Sequence, residues 1–104
     1  MKRLIQIYNN RDFVSLNKMR EISRFYGIII RMYFQDHNPP HFHAEYQGMK
    51  AEYDIRTLDL LAGSLSKRAN IMVLEWASQH KEELMDNWQK AIIPAALNKI
   101  EPLN

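Results

Sequence analysis

The sequence predicts an α+β domain: a small three- to four-stranded antiparallel sheet with one long amphipathic helix packed on its apolar face. Three observations carry that prediction. Segments near 26–34, 41–46 and 49–55 are rich in β-branched and aromatic residues, or alternate apolar with polar ones. The last two are separated by Gln47-Gly48, a pair suited to a two-residue hairpin turn. From about 67 to 92, apolar residues recur at spacing four.

In chain order, residues 1–20 read as an N-terminal extension and 21–104 as a single α+β domain. Leu4 to Tyr8 admits a strand. Asp12 admits the cap of a short helix carrying Phe13, Leu16 and Ile22, which would give the order helix, three strands, helix. That order would be similar to double-stranded-RNA-binding folds and to small toxins built on them. Tyr26 to Phe34 reads as the first strand, with Ile28, Ile30, Met32 and Phe34 on one face and Ile29, Arg31 and Tyr33 on the other. Asp36 to Pro40 makes the connection.

The hairpin that follows can be tested for internal agreement. A turn at 47 and 48 sets Tyr46 opposite Met49, Ala44 opposite Ala51 and Phe42 opposite Tyr53, all apolar or aromatic. It sets Glu45 opposite Lys50, His43 opposite Glu52 and His41 opposite Asp54, each a favourable cross-strand pair. A slip of one residue would bury the charges. Leu58 to Leu61 offers a short fourth strand, and Ser66 the N-cap of the helix. Met72, Trp76, His80, Leu84 and Trp88 form the helical stripe, widened by Val73 and Ala77, either as one helix or as two broken near His80. Pro94 stops or kinks it. Leu97, Ile100 and Leu103 give the tail apolar groups with which to pack.

Composition narrows the function. There are no cysteines, so disulfides and thiolate zinc sites are excluded. No run is long and apolar enough to span a bilayer, and Gln6 interrupts an N-terminal apolar stretch too short for a signal peptide. The expectation is a cytoplasmic protein without membrane contact. Net charge is only +2, although residues 1–35 carry seven basic side chains against two acidic ones. A basic first third suits phosphates, or simply a solvated surface.

Chemistry concentrates in Asp36-His37-Asn38-Pro39-Pro40-His41-Phe42-His43, which holds three of the four histidines. Three readings of the polar sheet face stand open. In the first, His41 beside Asp54 and His43 beside Glu52 are carboxylate-supported general acid–base groups, with Arg31, Tyr33 and His37 binding substrate. Such a set suits RNA cleavage, with Arg31 on phosphate. In the second, His41, His43 and Asp54 hold a divalent metal, with Glu52, Glu45 or His37 completing the ligands. In the third, the histidine–acid pairs only stabilise the sheet or dock a partner. His80 reads as a packed, hydrogen-bonded histidine, and Trp76 and Trp88 as core.

Ile22-Ser23-Arg24-Phe25-Tyr26-Gly27-Ile28, Met32-Tyr33-Phe34, Asp36-His37, Pro39-Pro40-His41-Phe42-His43-Ala44 and Tyr46 resemble the signature of the bacterial domain of unknown function 4160. Glu75-Trp76-Ala77, His80, Glu83-Leu84 and Asn87-Trp88 are similar to its helix. The likeness covers roughly 21–104, with Ser66 where a proline is expected. It implies a start near Met19, so that residues 1–18 read as an added extension or an upstream start. The family carries no established activity. Its likeness to compact bacterial toxin, antitoxin and regulator families implies a toxin-like RNA-processing protein. The alternatives are a non-enzymatic partner of a neighbouring gene's product, and a divalent-metal-binding protein.

Overall fold

The computed structural model describes residues 18–104. The order is β1 (Met19–Phe25), β2 (Ile28–Tyr33), β3 (His41–Tyr46), β4 (Met49–Asp54), β5 (Leu60–Gly63), α1 (Lys67–Gln79) and α2 (Lys81–Ile92). The strands form one antiparallel sheet in the order β1-β2-β3-β4-β5. The α+β class holds, with corrections: there are five strands, and two helices replace the single long one expected over 67–92.

The β3–β4 hairpin has the expected register, from His41 opposite Asp54 to Tyr46 opposite Met49. Gln47 and Gly48 take φ of 49° and 81°, a turn whose twist matches that of paired strands. Tyr26 and Gly27 turn the chain in the same way at 51° and 82°, so Tyr26 belongs to a turn and the strand after it starts at Ile28. Ile22, expected in a helix, lies in β1. The rest of that expected helix, with Phe13 and Leu16, lies outside the described residues, as does Leu4 to Tyr8.

Ile28, Ile30, Met32, Phe42, Ala44, Ala51 and Tyr53 turn one sheet face into the core, where Val73, Trp76 and Ala77 of α1 and Leu84 and Trp88 of α2 meet them. Ser66 caps α1 by accepting a hydrogen bond from the Ala69 N–H. His80 alone separates the helices, serving as C-cap of the first and N-cap of the second. The tail returns along β1, with the Ile100 N–H donating to the Ile22 carbonyl at 2.8 Å. Asn87, buried in α2, holds it by donating to the Asn98 carbonyl and accepting from the Asn98 N–H. No helix among the described residues is long and apolar enough to cross a membrane.

Tyr53 illustrates how burial sets the alkaline limit of stability. Its buried hydroxyl donates to Asn70 Oδ1 at 2.6 Å, and burial pushes its pKa above the ordinary 10.0. The unfolded chain therefore ionises first. This contribution is fully present below about pH 10 and is lost as pH rises through the folded value. Tyr53→Phe is expected to cost about 1 kcal/mol near neutrality and to flatten the decline above pH 10. Urea unfolding at several pH values measures both; an unchanged alkaline slope would contradict the assignment.

A candidate metal centre built on the double-proline connection

The connection between β2 and β3 is pinned at one end by α2. The Gln35 N–H donates to the Ala91 carbonyl at 3.0 Å, and its side-chain amide to the Ile92 carbonyl at 3.3 Å. From there the chain folds back over the start of β3, bringing Asp36 above His41 and His43. The Asp36 Oδ2 atom lies 3.0 Å from His41 Nε2 and 3.2 Å from His43 Nε2. One ligating atom from each of the three residues falls within 4.8 Å of the others.

Each member is held from behind. His41 Nδ1 lies 2.7 Å from the Pro39 carbonyl. A carbonyl only accepts, so this nitrogen carries a proton and donates. The ring is 1% exposed and lies 5.3 Å from that of Trp88. His43 keeps a 21% exposed side chain and lies 4.7 Å from the Tyr33 ring. Asp36 accepts from the His37 N–H at 2.8 Å through its other oxygen. Burial pushes the Asp36 carboxyl up. The His37 N–H, the His43 hydrogen bond and the nearby His41 and His37 rings outweigh this, leaving its pKa below the ordinary value.

The acid that approaches His41 therefore differs from the expected one. Asp54 stands opposite His41 in register, but its carboxylate accepts from the Arg56 and Thr57 N–H groups at 2.8 and 3.1 Å, closing the turn after β4. The residues whose ligating atoms the fold brings close enough to share one ion are Asp36, His41 and His43, while Asp54 of the expected set serves its own turn. Glu52 stays at the margin, 3.7 Å from His41 Nε2 and 4.0 Å from His43 Nδ1. Arg31 does not face this cluster freely: it pairs with Glu45 at 2.9 Å, so Glu45 is not left to Lys50 alone. His37 is largely exposed and stacks on His41 with ring centres 5.1 Å apart. His80 sits apart, bonded to Glu83 and beside Trp76. The sheet face is thus open at His43 but closed over His41.

Sequence reasoning missed Asp36 as a member because the acids it weighed were those on the two hairpin strands, Glu45, Glu52 and Asp54. The available signal was its place in the same short segment as both imidazoles. A family model described as Domain of unknown function (DUF4160) matches residues 27–89, which span the site and most of the sheet. No curated protein and no solved structure matches the chain.

Proposed function

Because the chain belongs to the DUF4160 family, whose description assigns no activity, we propose from the geometry that it is a divalent-metal-binding protein with Asp36, His41 and His43 as ligands. One observation carries this reading. With Nδ1 of His41 donating to Pro39, a neutral ring turns the lone pair of Nε2 toward a carboxylate oxygen 3.0 Å away. Two lone pairs facing each other in a buried place repel, unless a cation lies between them. A backbone carbonyl on the far nitrogen is also how metal-binding imidazoles are commonly oriented.

The spacing supports the same reading. Ligand bonds of about 2.1 Å put neighbouring ligand atoms roughly 3.0 Å apart in octahedral and 3.4 Å apart in tetrahedral geometry. The two separations from Asp36 are 3.0 and 3.2 Å. Two imidazoles and one carboxylate leave coordination positions for water, as hydrolytic and redox centres do. With an ion bound there, Glu52, 3.7 Å from His41 Nε2 and 4.0 Å from His43 Nδ1, would be the neighbouring carboxylate available as a proton acceptor.

Protein dialysed against zinc, manganese or iron(II) is expected to retain one ion per chain by elemental analysis, and His43→Ala to retain far less. A wild-type chain that keeps none of them would overturn the reading. Metal-free acid–base cleavage of RNA is the competing use of these residues, because a proton on His41 Nε2 would also relieve the repulsion. It requires RNA degradation that survives a chelator.

A further inference from the structure

Beside the ligand cluster the sheet face opens into a cavity of about 260 Å³ lined by Tyr33, His43, Lys50, Glu52, Ala62 and Gly63. Three adjacent strands supply its polar groups: Tyr33 from β2, His43 from β3, and Lys50 and Glu52 from β4. Gly63 closes the far side where β5 presses against β4. A Cβ there would lie 2.1 Å from the Lys50 carbonyl oxygen, so no side chain can intrude from that position. Two other cavities are larger: one of about 340 Å³ beside Tyr53, Leu58 and Asn70 has no such convergence of ligating groups, and one of about 310 Å³ beside His80, Glu82 and Glu83 lies away from the Asp36 cluster.

Charge selects what this cavity can hold. Glu45, the cross-strand neighbour of Lys50, is bonded to Arg31. Lys50 makes no ion pair among the described residues. Without a metal, the carboxylates of Asp36 and Glu52 outnumber the Lys50 ammonium and an anion is repelled. A dication on Asp36, His41 and His43 reverses the sign, and His43 brings that charge to the cavity wall.

We propose that the cavity binds a phosphate-type oxyanion, one oxygen on the metal's open position, a second on the Lys50 ammonium and a third toward the Tyr33 hydroxyl. This rests on the metal reading and assigns the ligand class of the same site. Attachment from three strands suits a tetrahedral group with several oxygens better than a carboxylate with two. The volume accommodates the oxyanion and little more than a small substituent, below the range usual for drug-sized ligands.

Cobalt(II) reports both steps, because its visible spectrum responds to loading and to a new ligand. Wild-type protein is expected to take up one cobalt, and inorganic phosphate to shift the spectrum saturably, more tightly than acetate does. Lys50→Ala is expected to bind cobalt equally well and phosphate at least about 10-fold more weakly, the loss expected for one charge-assisted hydrogen bond. Equal phosphate affinity in that variant, tighter binding of acetate, or loaded protein blind to phosphate would overturn the oxyanion assignment and leave the metal site standing. Failure to bind cobalt, zinc, manganese or iron(II) would overturn both.

Discussion

Asp36→Ala is expected to abolish divalent-ion binding, whereas Asp54→Asn leaves it intact. The contrast separates two acids that a strand diagram makes equally plausible. Asp54 is the cross-strand partner of His41, yet its carboxylate is spent on two backbone N–H groups of the next turn. Asp36, outside any strand, is the acid within 3.0 and 3.2 Å of the two imidazoles. Loss of an outer-shell partner alone typically costs 10–100-fold in metal affinity, so loss of one of three ligands should cost at least about 100-fold. The readout can be thermal. An ion at about 100 times its Kd stabilises a folded chain by roughly 2.7 kcal/mol, which raises the melting temperature of a domain this size by about 10–20 °C. That shift is expected for wild type and Asp54→Asn and is absent for Asp36→Ala.

The same variant distinguishes a metal from a proton. If a proton sits on Nε2 of the buried His41, removing Asp36 takes away its acceptor at 3.0 Å, at a cost of about 1.5–3 kcal/mol without any metal. If the site is built for a metal, the metal-free wild type carries two opposed lone pairs. Deleting one of them then costs little, or even stabilises. Urea unfolding in chelator compares the two proteins directly. A large loss of stability, with no metal-dependent shift in the wild type, would assign the cluster to acid–base chemistry.

The sequence revealed most where periodicity and burial coincide. The hairpin's two faces differ sharply in polarity and the turn length is fixed by Gln47-Gly48, so the pairing could be written down residue by residue. β1 hid because its pairing shifts between Glu21 and Ser23, which places Ile22 and Ser23 both inside and breaks the two-residue period. The short strand expected over Leu58 to Leu61 is β5, which spans Leu60–Gly63; all four of its residues are exposed, leaving no alternation to fix its ends. The break near His80 stood as one of two readings of the helical stripe, with nothing in the pattern to choose between them. The spacing-four stripe runs through His80 without a proline or glycine, and Trp76, Leu84 and Trp88 are buried on both sides of it. Asp36 stood in the chemistry-bearing segment, but its approach to both imidazoles depends on how an irregular connection folds back, which no periodicity encodes. Periodicity describes regular elements, whereas this cluster is assembled by one regular element and one irregular one.

Trp76→Ala is expected to bring the whole domain to the edge of unfolding. The indole is fully buried at the meeting point of three segments. Its ring centre lies 5.4 Å from that of Phe25 in β1 and 5.9 Å from that of Phe42 in β3, and its N–H donates to the Glu101 carbonyl in the tail at 2.8 Å. Truncating a buried tryptophan costs about 3–5 kcal/mol, against a total stability of roughly 5–15 kcal/mol for ordinary domains. Trp76→Phe keeps an aromatic ring in the core but leaves the Glu101 carbonyl without its donor, so a smaller loss is expected. Denaturant unfolding followed by circular dichroism orders the three proteins, and a loss below about 1 kcal/mol for alanine would contradict the packing described. The variant also tests the site from a distance. None of these named contacts involves Asp36, His41 or His43, and a metal bound only by the folded chain pulls a marginal folding equilibrium toward the native state. Zinc should therefore restore part of the stability of Trp76→Ala and none of that of Trp76→Ala combined with Asp36→Ala. Equal rescue of both would place the ion somewhere other than the double-proline connection.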